Sequence, residues 1–232
     1  MFPRTVPSRI GPSLLGLLAA CASTPSGEVP GINRDLHGPP DVDAYIERLQ
    51  SEARVRELEP DKVVASLELA RDARIADIGC GPGVFAAPLA RACPEGVVYA
   101  ADVEPAQLDA LRELLRAEEL ENVIPVLASY GDPHLPPGRI DLLFVSDTYH
   151  HVDERVEYFR RLHTDLAPGG RLAVIEYKDG DLPVGPPADH KVPKSERHRE
   201  LRDAGWRLAE VHTFHTWHDF EVWRPAGDAV QR

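Results

Sequence analysis

From Asp41 onward two rhythms of apolar residues alternate along the chain. Short, near-continuous apolar runs read as buried strands, and segments with apolar residues every three or four positions read as amphipathic helices. Strands are predicted at residues 73–78 ("ARIADI"), 96–103 ("GVVYAADV"), 122–128 ("NVIPVLA"), 140–146 ("IDLLFVS") and 171–177 ("RLAVIEY"), then at 207–214 and 217–223. Helices are predicted between them. Residues 104–120 place Leu108, Leu111 and Leu115 on one face behind Pro105, and a segment starting at Asp153 turns Val156, Phe159, Leu162 and Leu166 inward. "APGG" at 167–170 reads as a turn into the fifth strand, and a last helix over 195–204 is capped by Gly205. Ahead of these, Tyr45, Leu49, Val63, Val64, Leu67 and Leu69 carry a helical pattern interrupted by Pro60.

Strand–helix alternation with uninterrupted apolar strands predicts an α/β fold, a doubly wound parallel sheet covered on both faces. Only a short turn around His215 separates the last two strands, so they are expected to pair antiparallel and close a seven-stranded, mostly parallel sheet with a C-terminal hairpin.

The first residues break this pattern. Arg4 and Arg9 precede "IGPSLLGLLAAC", an apolar stretch too short to span a bilayer. The order of charge, apolar run and small residues is that of a secretory signal, and "LAAC" ending at Cys21 resembles a bacterial lipobox. Residues 1–21 are therefore expected to be a lipoprotein signal peptide and Cys21 a lipid anchor in the cell envelope; without a working signal the protein would be cytoplasmic. Residues 22–40, rich in Pro, Gly and Ser, read as a flexible linker. A single domain is expected over 41–225 and a tail over 226–232. The net charge of −12 gives no support to phosphate-backbone binding, so nucleic acid is not an expected partner. Cys80 and Cys93 flank a predicted helix, too far apart for one bridge.

Chemistry enters at the first strand's exit, "ADIGCGPGVF". Glycines at 79, 81 and 83 let the backbone turn tightly and approach a ligand. A dinucleotide fingerprint needs glycine where Val84 stands, which disfavours a nicotinamide oxidoreductase. Asp102 ends the second strand, where an acid can accept hydrogen bonds from both hydroxyls of a ribose. Together they point to a ribonucleoside ligand.

In "ADIGCGPG", "AADVEP", "GDPHLPPGRIDLL" and "LAPGGRLAVIEY" the chain resembles the class I S-adenosylmethionine-dependent methyltransferases, over roughly residues 41–225. It looks most like small bacterial members of the type 11 or type 25 kind, many of which carry "TYHH" after strand four. The resemblance implies a Rossmann-like fold and S-adenosyl-L-methionine as cofactor. Gly79, Gly81 and Gly83 would line the methionine and ribose portions, Asp77 would anchor the amino-acid end, Asp102 would hold the ribose, and Cys80 and Val103 are further cofactor-binding candidates. Asp132 would meet the adenine, though "SYGDPHLP" departs from the commoner acid placement, and Ser146 is a further cofactor-binding candidate.

Methyl transfer needs the acceptor aligned and often deprotonated, a task that suits a neutral histidine. Tyr149, His150 and His151 follow strand four, and His190 lies in the Pro- and Gly-rich loop after strand five. With Glu176 they form a candidate catalytic group; the bland alternative is that loop histidines only cap helices or bind backbone. Adjacent histidines lack the spacing of a metal pair on one helix face, so no metal is expected. His212, His215 and His218 read as solvated residues, and Trp206, Trp217 and Trp223 as packing residues. The expected function is methyl transfer to a small-molecule or lipid-like acceptor. The competing reading is a non-catalytic ligand-binding lipoprotein on the same scaffold, because exported proteins meet little nucleotide cofactor.

Overall fold

The structure, a computed structural model, describes residues 41–227. The signal, lipobox and linker expectations, and the last residues of the tail, lie outside the described residues.

Seven strands form one sheet in the order β3-β2-β1-β4-β5-β7-β6. They are β1 (Arg74–Ile78), β2 (Val97–Asp102), β3 (Val123–Leu127), β4 (Ile140–Ser146), β5 (Leu166–Tyr177), β6 (Trp206–His212) and β7 (His218–Pro225). β1 to β5 run parallel, β7 runs antiparallel to β5, and β6 runs antiparallel to β7. Strand order reverses between β1 and β4, so the crevice for a ligand opens where their carboxyl ends part.

The pleat of β4 explains the layering. Its alternate residues point to opposite faces, and all of Leu142, Leu143, Phe144 and Val145 are buried. Leu142 and Phe144 join the core beneath α3 (Pro60–Ser66), α4 (Ala86–Ala92) and α5 (Pro105–Ala117). Leu143 and Val145 join the other core, with Phe159 of α6 (Arg155–Arg161) and Leu201 of α7 (Lys194–Asp203). Helix α5 begins with Pro105 in its first turn, and the Glu104 side chain accepts a hydrogen bond from the Ala106 N–H. Leu108, Leu111 and Leu115 are its buried face, each contributing about 2 kcal/mol by leaving water.

Two expectations change in detail. "APGG" is not a turn before β5: it lies inside the strand, and pairing with β4 slips between Ile140 and Leu142 to absorb the extra residues. The helix expected from Asp153 starts at Arg155 because Glu154 takes the left-handed conformation, and it tightens into a 3-10 turn at Leu162–Thr164. The C-terminal helix ends as expected, with Gly205 in the left-handed region after it.

The amino-terminal pattern resolves into α1 (Val42–Gln50), α2 (Glu52–Leu58) and α3. Ser51 divides the first two: its hydroxyl donates to the Arg48 carbonyl and accepts from the Arg54 N–H. Trp206 and Trp223 are core residues, the Trp206 indole N–H donating to the Phe159 carbonyl. His215 and His218 are buried, contrary to their reading as solvated, because the β6–β7 connection folds back under α2 and α3. No helix among the described residues is long and apolar enough to cross a membrane.

Candidate active site

The exit of β1 is built around two acids. Asp77 lies one residue from the strand's end and is buried, and its Oδ2 has no hydrogen-bond partner among the described residues. Asp102 closes the neighbouring strand; its Oδ2 accepts the Gly81 N–H at 2.8 Å and its Oδ1 accepts the Glu104 N–H at 2.9 Å. Burial, then the negative charge of Asp102, pushes the Asp77 carboxyl up to about 8. Burial also raises Asp102, against the backbone N–H groups of Glu104, Gly81 and Val103, which favour its charged form. The pocket is thus deficient in positive charge.

Between the acids runs the glycine loop. A Cβ on Gly79, whose φ is +71°, would stand 2.2 Å from the Thr148 Oγ1 and 2.8 Å from its Cβ, so only glycine lets the loop after β4 pack there. Gly83 meets the same limit from the other side, a Cβ falling 2.6 Å from Leu111 Cδ1. Cys80 is buried, its thiol raised by burial and then by Asp102 and Asp77. It is a lining residue rather than a nucleophile. Val103 follows Asp102 and is half-buried, and Ser146 ends β4, pairing with Ile175.

Sequence reasoning missed two donor-side residues. Gln107, in the first turns of α5, is buried with its Oε1 unpartnered, 3.7 Å from where a Gly81 Cβ would be. A buried glutamine in an otherwise leucine-faced helix is the signal that was available. Leu49 of α1 approaches the same point to 3.5 Å from above.

His150 and His151 lie in the 3-10 turn Tyr149–His151 at the carboxyl end of β4, their rings 4.1 Å apart. His150 Nδ1 is 2.9 Å from Glu176 Oε2 and 3.2 Å from Oε1, and the Tyr149 N–H donates to Oε1 at 2.9 Å. Both side chains are buried. Burial alone would lower the imidazole pKa, but the Glu176 carboxylate outweighs it and holds His150 above the usual histidine value. Glu176 thus engages Nδ1 of the ring and not Nε2.

Asp147 precedes this turn in the left-handed conformation, at φ +49°. It pairs with Arg54 of α2, and His218 Nε2 lies 3.3 Å from its other oxygen. Burial would raise Asp147, yet Arg54 and then His218 hold its carboxyl well below the usual range.

Three expected site residues are placed elsewhere. Tyr149 turns its ring into the core against Phe159, centroids 4.8 Å apart, and donates its hydroxyl to Glu200 at 2.8 Å. Its phenol is raised by burial and by Glu200, so Tyr149 is a packing residue. His190 stands exposed on a 3-10 turn, and the side chain turning inward from that loop is Lys191, whose Nζ donates to the Gly180 carbonyl and lies over the Tyr177 ring. Asp132 has its carboxylate committed to Arg161 of α6 at 2.8 Å and to the His134 N–H at 2.7 Å. That leaves it turned away from the adenine role expected of it.

A cleft of about 390 Å³ lies at the opposite end of the central strands, lined by residues that include Glu68, Asp72, Arg74, Asp141 and Arg171. It is at the amino ends of β1 and β4, where Arg74 and Asp141 pair, and carries none of the acid–glycine chemistry. We therefore assign the active site to the carboxyl rim. Among the described residues no group of three or more His, Cys, Asp or Glu is arranged to hold a metal ion.

Residues 75–170 match the methyltransferase-domain family. The chain is 35% identical over 112 residues to trans-aconitate 2-methyltransferase of Methylobacterium nodulans, covering 48% of this chain and 41% of that protein. It is 26% identical over 100 residues to malonyl-[acyl-carrier protein] O-methyltransferase 1 of Ilyobacter polytropus, covering 43% and 36%. The matched segment thus spans about two-fifths of the length of these relatives. A crystal structure of a SAM-dependent methyltransferase from Aquifex aeolicus superposes with a TM-score of 0.74 at 25% identity, covering 79% of this chain and 97% of that one. In its sheet order, its glycine loop between two acids and these relatives, the chain is similar to the class I S-adenosylmethionine-dependent methyltransferases, and residues 75–170 match a methyltransferase domain.

Proposed function

We propose that this protein transfers the methyl group of S-adenosylmethionine to a small-molecule acceptor, with His150 as general base oriented by Glu176. The observation that carries the reading is the contact between Thr148 and Gly79, which locks the acid–glycine loop against the turn bearing His150. Trans-aconitate, a small molecule, and malonyl-[acyl-carrier protein], an acyl group carried on a protein, are the acceptors named for two relatives, and the small-molecule acceptor proposed here follows the first of these names.

The residues fit the cofactor. Asp77 is buried and Asp102 half-buried, both carboxyls are raised, and Asp77 keeps an unpartnered oxygen. A ligand bearing an ammonium and a sulfonium would relieve both, and Asp102 has the position of a ribose acceptor. When bound, the cofactor supplies an electrophilic methyl. The chain's own work is to align the acceptor beside it, exclude water and take the acceptor's proton at His150 Nε2. A pKa held above the ordinary histidine value strengthens His150 as a base.

The test is calorimetric titration of S-adenosylmethionine, and separately NADH, followed by an acceptor screen with labelled methyl donor. Micromolar binding of the first and turnover of an acceptor support the reading. Binding without turnover of any acceptor would favour the non-catalytic ligand-binding lipoprotein, and no binding by folded protein would overturn the cofactor assignment.

We further propose, from "LAAC" alone, that Cys21 is lipidated and anchors the enzyme in the cell envelope. Labelling with a radioactive fatty acid that disappears in Cys21→Ser supports this, and unlabelled wild-type protein in the cytosol overturns it.

A further inference from the structure

Helices α1 and α2 sit over the donor pocket with little apolar burial to keep them there. α1 buries no residue and α2 buries only Leu58. At nine and seven residues, both are too short to persist as helices by themselves. Yet Leu49 lies over Gly81, and the Tyr45 hydroxyl, raised mainly by burial, also feels the charges of Asp147 and Asp102. Some other contact must hold the cover closed.

That contact is one half-buried guanidinium. Arg54, 13% exposed, pairs with Asp147 at the end of β4 and donates to the Tyr177 hydroxyl at the end of β5, while Glu57 of its own helix, 3.0 Å away, fixes its direction. Tyr177 is itself clamped: a Cβ on Gly185 would stand 2.4 Å from its ring, and the His218 ring lies 4.2 Å from it. The next residue after Asp147 is Thr148, which packs on Gly79. The Arg54 anchor and the glycine loop are thus joined through two consecutive residues of one strand exit.

We propose that Arg54 is a latch that closes α1 and α2 over the methyl-donor pocket, its guanidinium bridging the ends of β4 and β5. The identity of the ligand under the cover rests on the function proposed above; the latch itself does not. A charged pair whose partners both reach water on opening can release without stranding a buried charge, as a reversible closure requires. Arg54 acts through α1 and α2 and so is a positioning residue.

The test uses the full-length chain and compares wild type with Arg54→Met, Arg54→Lys and Tyr177→Phe. Hydrogen exchange over residues 42–58 is expected to quicken by about tenfold or more in Arg54→Met, less in Tyr177→Phe, with β1, β4 and β5 unchanged and with Arg54→Lys partly restoring protection. Dissociation of S-adenosylmethionine should quicken in the same order. Exchange in α1 and α2 that is the same in wild type and all three variants would overturn the latch. Exchange that quickens as expected in a protein that binds no S-adenosylmethionine would support the latch and overturn the donor assignment alone. Tyr177→Phe keeps the packed ring, so it stays informative if Arg54→Met fails to fold.

Discussion

The carboxylates of Asp77 and Asp102 stand at the ends of adjacent parallel strands and face one glycine loop, and the charge of one helps keep the other protonated. Below pH of about 8 ligand-free Asp77 holds its proton. A cationic donor favours the carboxylate, so binding should release close to one proton, and affinity for S-adenosylmethionine should rise about tenfold per pH unit between pH 6 and 7.5. Titrations at several pH values, in buffers of different ionisation enthalpy, read both quantities. Asp77→Asn should flatten the dependence. The sign for stability is opposite. A carboxyl raised from 3.8 to about 8 by folding stabilises the ligand-free fold below pH of about 4, and that contribution is lost as pH rises through 8.

Asp102 supports the loop before it supports a ligand. Replacing it by alanine strands the Gly81 and Glu104 N–H groups as well as removing a ribose acceptor. Asp102→Ala should weaken donor binding by about tenfold to a hundredfold, and Asp102→Asn, which keeps one acceptor, by less. Calorimetry measures it; equal affinity in wild type and Asp102→Ala would remove the ribose assignment.

Much of the geometry of this strand exit was legible in the chain, because its constraints are local. Glycines beside a strand end and an acid at the next strand end can be read by order alone, and β4 appears with the bounds its apolar run predicted. The acceptor half was legible only in part, because side-chain direction depends on neighbours distant in sequence. Tyr149 and His150 are adjacent, but Glu200 on α7 takes the first into the core and Glu176 on β5 takes the second to the rim. Arg54 gave no signal, since an arginine three residues before Glu57 reads as an ordinary solvated helix pair. Asp147 and Tyr177, which make it an anchor, lie 93 and 123 residues away.

The Gly79–Thr148 approach predicts a graded repair. Gly79→Ala should lower stability by about 2 kcal/mol or more, through left-handed strain and overlap with Thr148. In Gly79→Ala with Thr148→Ala the two closest atoms, at 2.2 and 2.4 Å, are gone but the Cβ at 2.8 Å remains. The double variant should therefore recover part of the loss and never all of it. Thermal and denaturant unfolding of the four-member cycle measures the coupling, and strictly additive losses would mean that the two residues do not touch.

The His150–Glu176 pair makes the sharpest claim about chemistry. If His150 takes the acceptor's proton, kcat falls by about a hundredfold or more in His150→Gln while the affinity for S-adenosylmethionine is unchanged. Turnover should rise with pH to a plateau, because the imidazole must be neutral to act. Glu176 raises the imidazole pKa, so Glu176→Gln should move the midpoint of that rise to lower pH and reduce the plateau as the ring loses its orientation. A purely structural Glu176 would lower the plateau and leave the midpoint in place. The stability linkage follows the same sign: the pair stabilises the fold fully below the ordinary histidine pKa, and loses that contribution as pH rises through the raised value. Rate profiles of wild type, His150→Gln and Glu176→Gln from pH 5.5 to 9 separate these cases. An unshifted midpoint in Glu176→Gln together with undiminished turnover in His150→Gln would remove both residues from the reaction.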